Sequence, residues 1–255
     1  MAEGLRSAGH EVVLLAFTRL RVVAPAAQRL AELELADYEW IIVVSPSAAC
    51  FAARARPGPW PAACRFAAVG PGTGEALAQA GLLAHGAEVA SPAGNGHDAD
   101  AMLAMPAFGT GRGRRILILA GEGGRRDWLV TLASRGFEPE RLALYRREPI
   151  EPPEAGWRIL ADWAGAGGEP AFVVTSSDAA DRLVAGLAGR GLGEWAAGRI
   201  AVCPHRRIAM RLAAAGWRDV RVPGAGRRLL DAAIESNGPH PGGAGNDERT
   251  EANRP

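Results

Sequence analysis

Two serines each follow an apolar, β-branched run and open a helical pattern: Ser45 after WIIVV and Ser176 after AFVVT. A serine in that place accepts from the first turn of its helix, where backbone N–H groups lack partners and the helix dipole is positive. The same geometry holds an anion. Ser47 and Ser177 stand beside these positions as secondary candidates. Two glycine turns follow other apolar runs: Gly70, Gly72 and Thr73 after RFAAV, and Gly121, Gly123, Gly124 and Arg125 after ILILA. Both present backbone N–H groups at a helix start, and arginine adds a fork that matches a carboxylate. Every group lies where a strand runs into a helix, the end at which open α/β sheets bind ligands. The chemistry on offer is the holding of anions by hydroxyls and backbone. Plain helix caps, tight turns and a solvated arginine remain the alternatives.

Composition narrows what such a site serves. The 255 residues, 48% hydrophobic, suit two cores of roughly 100–120 residues each. Net charge is +1 and the charges are interspersed, which argues against nucleic acid as a partner. No apolar stretch approaches the ~20 residues of a membrane helix, and Met1 opens into a helical pattern without a signal-peptide layout, so a soluble cytoplasmic protein with no membrane partner is expected. Cys50, Cys64 and Cys203 show no CxxC spacing and read as free thiols, with no metal site. Lysine is absent, so all 29 basic residues are arginine. Schiff-base chemistry, a pyridoxal-phosphate anchor and a P-loop lysine are thereby excluded.

The elements that position these groups repeat. AFVVTSSDAADRLVAGL matches WIIVVSPSAACFAA, and RIAVCPHRRIAMRLAAAGW matches RFAAVGPGTGEALAQAG. The spacing is 25 residues from Ser45 to Gly70 and 27 from Ser176 to Cys203, so register is kept. A third match sets WLVTLASRGFEPERLALYRREPI against MAEGLRSAGHEVVLLAFTRLRVV. The first of that pair follows a strand and a Gly-rich turn; the second reads as lacking both. Two β-α-β-α-β-α copies imply two similar three-layer α/β/α domains with parallel sheets. Residues 1–18 and 154–234 are expected to form domain 1, without its first strand, and 23–145 domain 2. Residues 19–22 and 146–153 read as linkers, and Glu11–Phe17 as a strand. Helices are expected around residues 26–35 and 97–105, and a disordered tail over 235–255.

The motifs DYEWIIVVSPSA, FAAVGPGTGEAL, ILILAGEGGRRDWLVTLASRG followed by LALYRR, FVVTSSDAADRL and HRRIAMRLAAAGW stand in an order and spacing that resembles the uroporphyrinogen-III synthase family. That resemblance implies two α/β domains on a two-stranded linker with the active site in the cleft between them. It implies a cofactor-free lyase that takes hydroxymethylbilane, a linear tetrapyrrole with eight carboxylates, to uroporphyrinogen III with loss of water and inversion of ring D. Tyr145 matches the family's cleft tyrosine, whose hydroxyl assists departure of the substrate's hydroxyl. Gly70, Gly72 and Thr73 match a Gly-x-Gly-Thr pattern for substrate carboxylates, and Arg207 sits in the corresponding turn of the other domain. A monomer is expected. A small-molecule sensor without turnover, a nucleotide-dependent enzyme and a truncated, inactive synthase are the competing readings.

Overall fold

The computed structural model describes residues 2–85, 87–92 and 99–223. The elements in chain order are α1 (Ala2–Ser7), β1 (Thr18–Val22), α2 (Ala24–Glu32), β2 (Trp40–Val43), α3 (Pro46–Ala55), β3 (Arg65–Ala68) and α4 (Pro71–Gln79). Next come β4 (Val89–Ala90), α5 (Ala99–Leu103), β5 (Arg114–Gly121), α6 (Asp127–Ser134) and β6 (Phe137–Pro149). The chain continues through α7 (Glu154–Gly165), β7 (Phe172–Val173), α8 (Ser177–Ala188), α9 (Gly193–Ala197), β8 (Ile200–Val202), α10 (Arg206–Ala214) and β9 (Asp219–Arg221). The described residues divide into two compact units: 2–17 together with 150–223, and Thr18–Pro149.

The Thr18–Pro149 unit is built on a sheet ordered β1-β6-β5-β2-β3-β4, parallel except for the antiparallel β1 at its edge. Alternation in the apolar runs covers both faces. Ile41, Val43, Leu117 and Leu119 pack with Leu30, Phe51 and Leu77 of α2, α3 and α4. Ile42, Ile116 and Ile118 turn the other way onto Met102, Trp128 and Leu132 of α5 and α6. Every one of these strand side chains is 0% exposed, and each fully buried Ile or Leu contributes roughly 1.5–3 kcal/mol relative to exposure. The three layers follow directly from that pattern.

The other unit carries the parallel sheet β7-β8-β9. Its core joins Phe17, Trp157, Leu160, Phe172, Leu183, Ile208, Leu212 and Trp217, with Phe172 edge-on to Trp217 at 4.9 Å.

Several expectations change. Glu11–Phe17 is not a strand, because among the described residues no strand pairs with it to complete its hydrogen bonds. Strand β6 runs on to Pro149, since its far end pairs with β1 from Val22↔Tyr145 to Thr18↔Pro149. Residues 19–22 and 146–149 therefore belong to a ladder, where linkers were read. Helix α2 spans Ala24–Glu32, followed by a 3-10 turn at Leu35–Asp37. Helix α5 is described from Ala99, so the start of the expected helix at 97–105 lies outside the described residues, as do 224–234 and the 235–255 tail.

Candidate active site

Backbone pairing puts three strand-to-helix turns side by side. The Val44 N–H donates to Leu119 O at 3.1 Å and the Val69 N–H to Val43 O at 3.4 Å, so the chain leaves β5, β2 and β3 along one edge of the larger sheet. Ser45 caps α3, its Oγ accepting from the Ala48 N–H at 3.1 Å. Gly70 caps α4 without a side chain and Pro71 follows it. Thr73 is 5% exposed in the first turn, and a Cβ on Gly72 would meet nothing within 4 Å.

Tyr145 ties two of these turns together. Its Oη lies 3.1 Å from Ser45 Oγ, and its buried ring stacks on Phe51 at 5.3 Å and 19°. A Cβ at Gly121 would fall 2.6 Å from the ring, so only glycine lets the tyrosine pass there. The register shifts between Ala120 and Gly121, and the Glu122 N–H donates to Tyr145 O at 2.6 Å. Gly123 and Gly124 follow at φ 78° and 75°, a backbone that L side chains rarely adopt.

Arginines surround this point. Arg147 Nη2 donates to Tyr145 Oη at 3.5 Å, and its guanidinium carbon sits 5.6 Å from the ring centre. Among the described residues Arg147 has no acidic partner, unlike Arg146, whose Nε reaches Glu148 at 2.9 Å. Arg141 donates to the carbonyls of Gly121 and Gly123. Burial first, and then the charge of Arg126, hold the Arg141 guanidinium below its ordinary pKa. Arg125, read from the sequence as a carboxylate cradle, is already held by Asp127 at 2.6 Å and Asp100 at 2.8 Å. Its donors tie the start of α6 to α5.

The hydroxyl pair has a fixed proton inventory. One O–H of the two is consumed in the Ser45–Tyr145 contact, Arg147 and Ala48 supply further hydrogens, and one O–H is left to donate outward. Ser45 is partly exposed whereas Tyr145 is 2% exposed, so the serine is the outward face of the pair. Ser47 stands two residues further on, in the first turn of α3, and is partly exposed.

In the other unit, Ser176 caps α8, accepting from Ala179 N–H at 3.1 Å. Ser177 Oγ is buried without a partner, alone in this among the described residues. Arg207 is exposed on the first turn of α10, which follows Cys203. The buried Cys203 thiol is pushed up by burial. Among the described residues no group of three His, Cys, Asp or Glu side chains is placed to hold a metal.

Sequence reasoning missed Arg147 and Arg141. Arg147 stands two residues after Tyr145 on a strand, hence on its face. That period-two relation was the available signal. Arg141 is positioned through the bend at Gly121, which no local pattern announces.

Parallel strands ending in capped helices, paired hydroxyls and an arginine without an acidic partner among the described residues mark an α/β protein with anion-holding groups at the carboxyl edge of its sheet. The sequence profile of uroporphyrinogen-III synthase HemD matches residues 1–225. The chain belongs to the uroporphyrinogen-III synthase family, lyases that act on a tetrapyrrole in heme biosynthesis. Among solved structures it is similar to a mutant uroporphyrinogen III synthase from the extremely thermophilic bacterium Thermus thermophilus, with 19% identity over 91% of this chain and 89% of that one at a TM-score of 0.49. It is also similar to the uroporphyrinogen-III synthetase of Helicobacter pylori, with 14% identity over 86% and 90% at a TM-score of 0.49.

Proposed function

We propose that this chain converts hydroxymethylbilane to uroporphyrinogen III and that Ser45, Tyr145 and Arg147 act on the departing hydroxyl. The observation carrying this reading is the 3.1 Å contact between the two hydroxyls, with Arg147, which meets no carboxylate among the described residues, donating to the tyrosine. As the substrate's terminal C–O bond breaks, a proton passes from Tyr145 through Ser45 to the leaving oxygen, which departs as water. The azafulvene that remains is attacked by a ring D carbon, ring D is inverted through a spiro intermediate, and the macrocycle closes. The proton lost when the last pyrrole becomes aromatic again restores the pair. A positioned donor of this kind supplies about 10²–10⁴-fold.

Unaided cyclisation gives the wrong isomer, so folding the substrate matters more than acid catalysis. Helix N-termini at Ser45, Gly70 and Ser176, with Ser47, Gly72, Thr73, Ser177, the Gly121, Gly123 and Gly124 turn and Arg207, are the proposed holders of its carboxylates. The Arg125 fork acts there only by orienting the Gly-rich turn. We also propose a cytoplasmic monomer, which light scattering and cell fractionation check.

The test generates hydroxymethylbilane enzymatically, adds the protein, oxidises the products and separates the porphyrin isomers. Isomer III in excess supports the reading. Isomer I alone, as in the protein-free control, overturns it.

A further inference from the structure

Strand β1, TRLRV, alternates polar and apolar residues as a strand does when one face covers a core, yet all five of its residues are exposed. Leu20 is 37% exposed and Val22 51%, and neither joins an apolar core among the described residues. The ladder with β6 sets Val22 opposite Tyr145 and Leu20 opposite Arg147. Residues directly opposite share a face, with Cβ atoms about 5 Å apart, and the next pair on that face lies about 7 Å along the strand. Val22, Leu20, Tyr145 and Arg147 therefore make one patch. The other face of the ladder is ionic: Arg21 and Arg146 both reach Glu148, at 3.0 and 2.9 Å.

The neighbours of the two apolar side chains limit what covers them. Tyr145 Oη stands at one corner of the patch, 3.1 Å from Ser45 Oγ, so the patch is continuous with the hydroxyl pair. Arg147 stands at another corner, without an acidic partner among the described residues, and its charge suits an occupant that carries carboxylates. Leu20 and Val22 offer shape and no hydrogen bond. A flat apolar ring with acidic arms meets all of these conditions. Hydrogen bonds to carboxylates fix the arms of a flexible chain of rings, whereas the reacting ring must also be held by its face for its C–O bond to meet the donor.

Resting on the proposed reaction, we infer that Leu20 and Val22 are the platform for the substrate's hydroxymethyl-bearing pyrrole, whose face lies on these side chains while its hydroxyl meets Ser45 and Tyr145. They position that ring and take no part in proton transfer. Apolar contact of this kind holds the ring equally before and during C–O cleavage, so it lowers KM and leaves kcat nearly unchanged.

The test measures kcat and KM for isomer III formation from enzymatically generated hydroxymethylbilane in the parent, Leu20→Ser, Val22→Thr and Leu20→Met. Binding of uroporphyrinogen III, kept anaerobic, is titrated in parallel by tryptophan fluorescence. Leu20→Ser removes the apolar bulk, and Val22→Thr keeps the shape but exchanges a methyl for a hydroxyl. Each should raise KM and weaken binding roughly 3–10-fold. Their kcat should stay within about 2-fold and their Tm within about 2 °C of the parent, because both side chains are exposed. Leu20→Met should bring KM back close to the parent value. Val130→Ser, at an apolar side chain 71% exposed on α6, should change nothing. Unchanged KM and binding in the Ser and Thr variants overturn the inference, as does a loss confined to kcat or a Tm that falls in step with activity. If the parent yields isomer I alone, the proposed reaction fails by itself and the titration decides the platform: weaker binding in both variants supports it, and equal binding or none overturns it.

Discussion

Ser45 follows a strand that is not a neighbour of the strand carrying Tyr145, yet their hydroxyls meet at 3.1 Å. β5 lies between β2, which Ser45 follows, and β6, which carries Tyr145. The tyrosine reaches across the end of the intervening strand because that end is Gly121. Gly121→Ala should therefore separate the hydroxyls and lower stability by about 1–3 kcal/mol through forced displacement of the ring. Gly72→Ala, with open space at its Cβ, should leave stability nearly unchanged. Thermal melts of both variants, with isomer III formation measured alongside, check this.

The two hydroxyls have separable duties. Ser45→Ala removes a helix cap as well as a donor, so it should cost about 1 kcal/mol of stability and slow isomer III formation by roughly 10²-fold. Tyr145→Phe keeps the cap and removes only the relay, so its rate loss should come with a smaller loss of Tm. The double variant should be no slower than the worse single one if they act as one unit. Multiplicative losses would show that they act separately.

Much of this fold was legible in the sequence because parallel strands buried on both faces read as continuous apolar runs. WIIVV and ILILA announce themselves, and the serine or glycine after each marks the sheet edge where ligands bind. What stayed hidden depends on partners. EVVLLAF has strand composition but enters no ladder among the described residues, since composition supplies a preference and only a neighbouring strand supplies the hydrogen bonds. Arg125 looked free because its engagement with Asp100 is set by the packing of α5 against α6. The pairing of Ser45 with Tyr145, 100 residues apart, exists only once β5 is threaded between them.

A pH effect should arise at the opposite end of the same sheet. Tyr38 is pushed up from its ordinary pKa of 10.0 to about 12, by burial first and then by its hydrogen bond to the Glu140 carboxylate, with Arg115 over its ring at 4.4 Å opposing. A phenol whose pKa is raised on folding is favoured neutral in the native state. The stabilisation it gives is complete below about pH 10 and is lost as pH rises towards about 12. Urea midpoints measured across that range should fall. Tyr38→Phe should flatten the fall, and Glu140→Gln should reduce it in part.

Thiol reactivity should separate the three cysteines. Cys50 is exposed on α3, whereas Cys64 and Cys203 are buried and their thiols are pushed up by burial. A thiolate is the reactive form, so burial and raised pKa act in the same direction. Alkylation of native protein at pH 8 should label Cys50 alone within minutes, and denaturant should release the other two. Peptide mass mapping reads the outcome directly, and fast native labelling of Cys203 would contradict the packing beneath α10.

Arg147 offers the sharpest division between charge and shape at the proposed site. Its guanidinium donates to the Tyr145 hydroxyl at 3.5 Å and, among the described residues, meets no carboxylate of its own. The cation lies beside the oxygen that, in the proposed relay, passes its proton to Ser45. Arg147→Gln keeps a donor but removes the charge, and should lower kcat about 10-fold, the scale of one charge-assisted hydrogen bond. Arg147→Lys keeps the charge without the fork and should recover part of that loss. If the arginine instead binds a substrate carboxylate, the Gln variant would raise KM and leave kcat near the parent value. Steady-state kinetics of the two variants, with Tm measured to confirm an intact fold, separates a role on the proton path from a role in binding.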